Sequence, residues 1–423
     1  MKARASVIAG IVAATALLAG YLATWAPVSD FRQTGSDFSA SYTAALLIRE
    51  GHGAALYDQA AEQSRHLALL PPGTRLTLPF VTPPTTALIA LPFTALDPAT
   101  ASRLFALLEV AVLGAAVLIV VRAAPWPPGI PRGARLATGA IALAGVPTLA
   151  LLLLAQFDAL CALGLAAGYA MWRRARPLPA GFCLALGFAV AKPHLAAGLL
   201  VFLLARRDWR ALLGAAGAAA LAVAVSAALA GPGAVLSFFG DLGYSLRVTP
   251  GPSTVGLPGL AASWLGGGPA AALAAVAGAV AALAGCAVLG HRSRRTPDLL
   301  ELTLAGAVAL SLAASPHLLT YDLVALAPAF VWCMGRMATI DGSVAWPGRF
   351  SLAAATGWAI ANVVIDLDLG NGAPAPPGRL VPWVLVLAGL GAVGAARRPH
   401  VPRGFIPVLL QSGRGRAAGG SSA

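Results

Sequence analysis

The chain has little charge, few acids and almost no lysine. Asp, Glu, Lys and Arg make up 11% of its 423 residues, where a soluble domain is roughly a quarter charged. That shortage excludes an ordinary water-soluble enzyme. Lys2 and Lys192 are the only lysines, against 27 arginines, a ratio that a GC-rich coding bias would also produce. Cysteine is equally sparse. Cys161, Cys183, Cys286 and Cys333 sit singly in apolar runs, with no CxxC and no Cys/His spacing. They read as small core hydrophobes, implying neither a disulfide nor a metal. Apolar and polar residues do not alternate in ten-residue segments, which excludes a transmembrane β-barrel. No internal repeat is evident.

What remains is apolar. Hydrophobic residues make 58% of the chain and the mean hydropathy is +0.79. Several runs reach the roughly 20 residues that cross a bilayer as a helix. The fold class is therefore all-α, a polytopic integral membrane protein. Helical elements are expected at 5–26, 100–121, 135–155, 158–172, 178–191, 194–205, 211–230, 269–290, 298–314, 321–336, 350–366 and 379–396. The opening Lys2, Arg4 and long apolar run read as an uncleaved first span rather than a signal peptide, whose apolar core would be shorter and closed by a small-x-small site. Residues 1–396 form one transmembrane domain, and 397–423 a basic cytoplasmic tail, disordered at its end.

The net charge of +13 would suit nucleic acid, but cytoplasmic loops of membrane proteins collect Lys and Arg, and topology explains it better. With the N-terminus in the cytoplasm, all basic residues but Arg32, Arg49, Arg65, Arg75, Arg103, Lys192, Arg247 and Arg379 fall on the cytoplasmic side. No nucleic-acid partner is expected. "RRAR" 173–176 and "RRDWR" 206–210 then both belong to the cytoplasm, so the residues between them make an even number of crossings. Pro193 breaks that stretch. It is expected to be a short re-entrant hairpin with "KPH" 192–194 at its tip, tolerated only beside protein or a water-filled cavity. The alternative, one long Pro-kinked helix, would spoil the charge parity.

The outer loops are 27–99, 231–268 and 366–378. The first is far longer than a connector needs to be, which points to function. Within it "PFVTPPTTALIALPF" 79–93 reads as a short re-entrant or interfacial helix, and Ser36–Glu50 as an amphipathic helix ended by Gly51. Asp37, at the start of that helix, is either its N-cap or a carboxylate facing a cavity between spans. Further polar clusters break the apolar runs on the same side: "QFD" 156–158, "KPH" 192–194, "YSLRVTPGPSTVG" 244–256 and "SPHLLTYD" 315–322. Singly each is a helix end. Their shared side points to one site, because ionisable groups at membrane depth usually mark function. "DLD" 366–368 looks like a metal-binding DxD but sits at a span end. Glu109 lies inside the second span and faces the bundle interior.

In this order the stretches "SDFSASYTAALLIREGHGAALYD", "FVTPPTTALIALPF", "LLAQFDALCALGLA", "AVAKPHLAAGLLVFLLARRDWRALLG" and "SPHLLTYDLVALAPAF" resemble glycosyltransferase family 87, the polyprenyl-phosphate-mannose-dependent mannosyltransferases of the GT-C superfamily. The resemblance covers about residues 36 to 330. It implies a GT-C-type bundle of 10–12 transmembrane or re-entrant helices in the cell membrane. It also implies inverting transfer of a sugar, typically mannose, from a polyprenyl phosphate to a lipid or glycan hydroxyl at the extracytoplasmic face, with no cofactor and no metal. The family's first-loop Asp corresponds to Asp37, the general base, which a lid helix would hold over the lipid-linked sugar. Lys192, with His194 and His317, would bind the donor phosphate. Tyr42, Gln156, Asp158, Ser253, Tyr321 and Asp322 are the candidate substrate-binding residues.

Three other readings stay open at this point. A transporter or lipid/glycan flippase would place ionisable groups at mid-membrane and carry inverted repeats. A polymerase or ligase of lipid-linked glycans would use an outer-loop arginine such as Arg247. A membrane scaffold would have no catalytic residue at all.

Overall fold

Helices follow from the apolar runs, and prolines, glycines and buried carboxylates decide where each one starts and stops. The computed structural model describes residues 2–70, 78–244, 253–342, 347–370 and 378–395, with side chains from residue 7 onward. The tail 397–423 and Arg247 lie outside these residues. In chain order the first helices are α1 (Lys2–Trp25), α2 (Asp30–Thr34), α3 (Phe38–Arg49), α4 (Gln59–Leu67), α5 (Pro84–Ala90) and α6 (Pro98–Ala123). Then come α7 (Arg132–Leu143), α8 (Val146–Leu154), α9 (Asp158–Arg173), α10 (Pro177–Ala191), α11 (Ala197–Arg206), α12 (Trp209–Ala230) and α13 (Pro232–Gly240). The last are α14 (Leu257–Leu265), α15 (Pro269–Arg295), α16 (Leu300–Ala314), α17 (Leu326–Asp341), α18 (Arg349–Gly370) and α19 (Val381–Ala395). No strand occurs among the described residues. Among the described residues seven helices are long and apolar enough to span a membrane, and an eighth span forms if α7 and α8 are joined across their 52° bend. The protein is an all-α polytopic membrane protein.

Each of the expected helical elements has a counterpart. The expected span 135–155 is bent, for a local reason. Gly145 leaves the helix with extended backbone and Pro147 follows it, and the Val146 N–H donates instead to Oδ1 of Asn362 on α18, at 2.7 Å. The loop 231–268 also differs from expectation, since it contains α13 and α14.

The segment from α10 to α12 folds back on itself at Lys192. A Cβ on Gly181 would overlap the Ala211 carbonyl, and one on Gly214 the Leu178 carbonyl. The first turns of α10 and α12 therefore lie against each other, and the two helices run parallel. The chain must return along α11, with Lys192 and Pro193 at the turn. With 15 residues, α10 is about 22 Å long, short of the roughly 30 Å hydrocarbon core. At the far end of the bundle the arginine segments meet. Trp172 Nε1 donates to Asp208 Oδ2 (3.2 Å), Arg206 donates to Ser293 (2.5 Å), and Arg173 pairs with buried Glu301 (3.4 Å). "RRAR", "RRDWR" and "HRSRR" 291–295 thus share one end.

The first loop is part of the core. Asp58 caps α4, accepting from the Ala60 and Ala61 N–H groups, and Pro84 opens α5. Every residue of α3 from Phe38 to Leu47 is buried, so α3 is a wedge and has no exposed outer face of the kind a lid presents. Phe38 stacks on Phe105 of α6 (ring centroids 4.4 Å), and Phe105 in turn meets Phe157 between α8 and α9 (4.6 Å).

Candidate active site

Three helix breaks and the start of α3 converge at the end of the bundle opposite the arginines. The first break, Ala155–Phe157, separates α8 from α9. The second is Lys192, between α10 and the 3-10 turn Pro193–Ala196. The third, Ser315–Leu319, follows α16. Breaks of this kind free backbone groups that would be costly in hydrocarbon, so side chains and neighbouring backbone take them up. The Ala159 N–H donates to Oε2 of Glu109 on α6 (3.0 Å). The Gly198 N–H donates to Ser311 (2.9 Å), and the Leu319 N–H to Oδ2 of Asp322 (2.6 Å). Glu109, an interior group of unassigned role in the sequence, thus caps α9.

Lys192 joins the breaks. It is 7% exposed, and its Nζ lies 2.6 Å from Asp322 Oδ1 and 3.0 Å from Asp158 Oδ2. It also sits over the Tyr321 ring, 4.2 Å from the centroid. Two carboxylates hold one ammonium, which donates to Asp322 and pairs with Asp158 through charge.

Above this clamp is a cavity of about 610 Å³, lined by Asp37, Gln156, Lys192, His194, His317 and Tyr321 on its polar side. Leu78–Pro83, Phe238, Phe239 and Leu242 form an apolar wall. A smaller apolar pocket of about 150 Å³ shares Phe238, Phe239, Pro83 and Pro193 with it and runs to α12, whose Leu221, Val223 and Val225 are exposed. His194 and His317 meet edge to face (6.0 Å). Burial lowers the His317 imidazole below its ordinary range, so it is a neutral hydrogen-bonding group at pH 7.

Asp37 does not cap α3. Its backbone is already helical and its side chain makes no cap bond, whereas an N-cap is normally extended. Its Oδ2 accepts from Gln156 Nε2 at 2.7 Å. Burial raises the carboxyl above its usual range, while the Gln156 hydrogen bond, the Lys192 charge and the Tyr321 hydroxyl pull it down. A carboxylate that faces a cavity can take a proton.

Of the residues singled out in the sequence, Asp37, Gln156, Lys192, His194, His317 and Tyr321 come together on the cavity. Asp158 and Asp322 lie beneath it and touch Lys192 rather than open space. Tyr42 is 4% exposed, and its hydroxyl donates to the Leu96 carbonyl (2.8 Å), away from the cavity. Ser253 is exposed and lines no part of it, although the Val255 N–H, two residues on, donates to the Leu318 carbonyl (2.7 Å) within the third break. Asp368 of "DLD" accepts from the Leu380 and Val381 N–H groups (both within 3.0 Å), holding the start of α19. No cluster of metal-ligating side chains occurs among the described residues. Sequence reasoning missed the Phe238–Phe239 wall, for which Pro232, a helix-opening residue, was the available signal.

The sequence model of glycosyltransferase family 87 matches residues 80–316, more than half of the chain. The match takes in the α5 segment and the first two breaks. It leaves Asp37 and the stretch His317–Asp322 outside its ends. Comparison with curated proteins and with solved structures yields no match.

Proposed function

Because the chain belongs to glycosyltransferase family 87 and is a membrane glycosyltransferase, we propose that it moves a sugar, mannose by family resemblance, from a polyprenyl phosphate to a hydroxyl of a lipid or glycan acceptor. The observation that carries this reading is the cavity itself. One side holds Asp37, Lys192 and two imidazoles, and the other is Phe238, Phe239 and Leu242, continuous with an apolar pocket beside the exposed face of α12. A sugar phosphate suits the first side and a hydrocarbon chain the second.

Asp37 accepts the acceptor hydroxyl's proton as that oxygen attacks the anomeric carbon from the face opposite the phosphate. The new glycosidic bond forms, the bond from the anomeric carbon to the phosphate oxygen breaks, and its electron pair stays on the polyprenyl phosphate. Configuration inverts, and Asp37 passes the proton to water. A phosphate leaving group is weakly basic, so no second carboxyl need act as an acid, unlike the paired carboxyls of glycosidases. Lys192 offers an N–H to the departing phosphate, joined by donors from His194 and His317, and these groups act on charge that develops in the transition state. The arginine-rich end faces the cytoplasm under the positive-inside bias. The cavity, at the other end, opens to the extracytoplasmic side of the cell membrane.

The donor assignment is tested with purified protein in lipid, supplied in parallel with radiolabelled polyprenyl-phosphate-mannose and with labelled nucleotide-mannose, and a membrane-lipid extract as acceptor. Label entering a new product only from the polyprenyl donor supports the reading. Transfer from the nucleotide sugar overturns it. Panels of other polyprenyl-linked sugars then fix the sugar. A transporter reading has no observation of its own in its favour.

A further inference from the structure

Gln156 was expected to touch substrate, but its contacts direct it elsewhere. Its amide donates to Asp37 Oδ2 at 2.7 Å, across 119 residues of sequence. Two local features aim it there. Ala155, which ends α8, has φ 51 and ψ 56, left-handed backbone that a non-glycine residue rarely adopts, and it is wholly buried. Such backbone persists only where the surroundings over-determine it, and it gathers at functional sites. The second feature is aromatic. Phe157, next to Gln156, and Phe38, next to Asp37, both pack on the Phe105 ring, at 4.6 and 4.4 Å. One cluster therefore registers the two neighbours against each other, and it sends Gln156 to Asp37 and Asp158 to Lys192 from the two sides of one buried anchor.

Resting on the reading of Asp37 as the base, we propose that Gln156 is a positioning residue: its amide holds one oxygen of the Asp37 carboxylate so that the other serves as the proton acceptor, with the left-handed Ala155 and the Phe38–Phe105–Phe157 cluster setting the aim.

The test compares wild type, Gln156→Leu, Gln156→Glu and Asp37→Asn in lipid, with donor and acceptor varied and pH scanned. Gln156→Leu removes the donor and leaves a slightly shorter, apolar side chain. Its kcat should fall about a hundredfold, the penalty of a misplaced reacting group, with KM for both substrates unchanged. The acid limb of the rate profile should move to higher pH, because a hydrogen bond to the ionised Asp37 has been lost. Gln156→Glu, isosteric and available should the leucine variant not fold, moves the limb further by adding a like charge. The other groups acting on Asp37 are Lys192, Asp322 and the Tyr321 hydroxyl, and all are unaltered in both variants. A raised KM with the acid limb in place would make Gln156 a substrate contact and overturn the proposal, as would unaltered kinetics. If Asp37→Asn itself transfers sugar at the wild-type rate, the base assignment fails. If Asp37→Asn is inactive while Gln156→Leu keeps its acid limb, only the present inference fails.

Discussion

Lys192→Met should destabilise the protein severely, and two further substitutions should restore it without restoring transfer. The lysine is the sole positive partner within hydrogen-bonding reach of two buried carboxylates, Asp158 at 3.0 Å and Asp322 at 2.6 Å, among the described residues. Removing one partner of a buried ion pair costs about 3–5 kcal/mol, mostly from the charge left behind. Here two charges are left, so the upper part of that range applies, moderated by protonation of one carboxyl. For a chain of this size the loss corresponds to a fall in unfolding temperature on the order of 5 °C. Replacing Asp158 and Asp322 by Asn in the same protein removes the stranded charge and keeps the shapes. A side-chain carbonyl oxygen at 322 can still accept from the Leu319 N–H. The triple variant should therefore unfold within about 2 °C of wild type, and it should remain inactive because the phosphate has lost its cation. Unfolding is followed by intrinsic tryptophan fluorescence in detergent, and transfer by label incorporation. If Lys192→Met unfolds at the wild-type temperature, the clamp does not hold the breaks together. If the triple variant transfers sugar, Lys192 has no part in binding the phosphate.

Two further outcomes are expected. The Glu62 carboxyl on α4 is buried and held at about 7, with desolvation outweighing the hydrogen bond it accepts from the Phe80 N–H. Its folded value lies above its unfolded one, so it contributes stability that is lost as pH rises from about 4.5 toward 7. Glu62→Gln keeps an acceptor for Phe80, so it should flatten that fall and raise the unfolding temperature at pH 8 while changing little at pH 4.5. Equal effects at the two pH values would contradict this. Single cysteines at Arg174, Arg207 and Ser253, in a background with the four native cysteines replaced, should label with a membrane-impermeant thiol reagent in a fixed pattern. Positions 174 and 207 should report one side and position 253 the other, and opposite labelling of 174 and 207 would refute the re-entrant path from α10 to α11.

Long apolar runs made the helices legible, because period and length fix a membrane helix almost without tertiary information. Charge alone grouped "RRAR" with "RRDWR", and the Trp172 hydrogen bond to Asp208 brings the two segments to one end of the bundle. The sequence misled where packing outweighed local pattern. Ser36–Glu50 looked amphipathic because Ser39, Ser41 and Thr43 are polar, yet all three are buried, with Ser39 bonded to His66 (2.9 Å). Asp37 could be read as a cap because it precedes a helix, and its helical backbone and its contact with Gln156 show that it is not one. Asp158 and Asp322 were singled out in the sequence, but their place beneath Lys192 depends on three breaks meeting in space, which spacing along a chain cannot encode. Tyr42 and Ser253 were drawn in by their neighbours in sequence, and the fold takes their side chains elsewhere.

The most direct test of the central claim is sugar transfer by wild type and Asp37→Asn under identical conditions, with polyprenyl-phosphate-mannose as donor and correct folding of both proteins checked by their unfolding temperature. The account predicts labelled product of inverted anomeric configuration from wild type and a loss of at least a hundredfold in Asp37→Asn, the lower bound for a positioned general base. Transfer by Asp37→Asn at the wild-type rate, or a product of retained configuration, would contradict it.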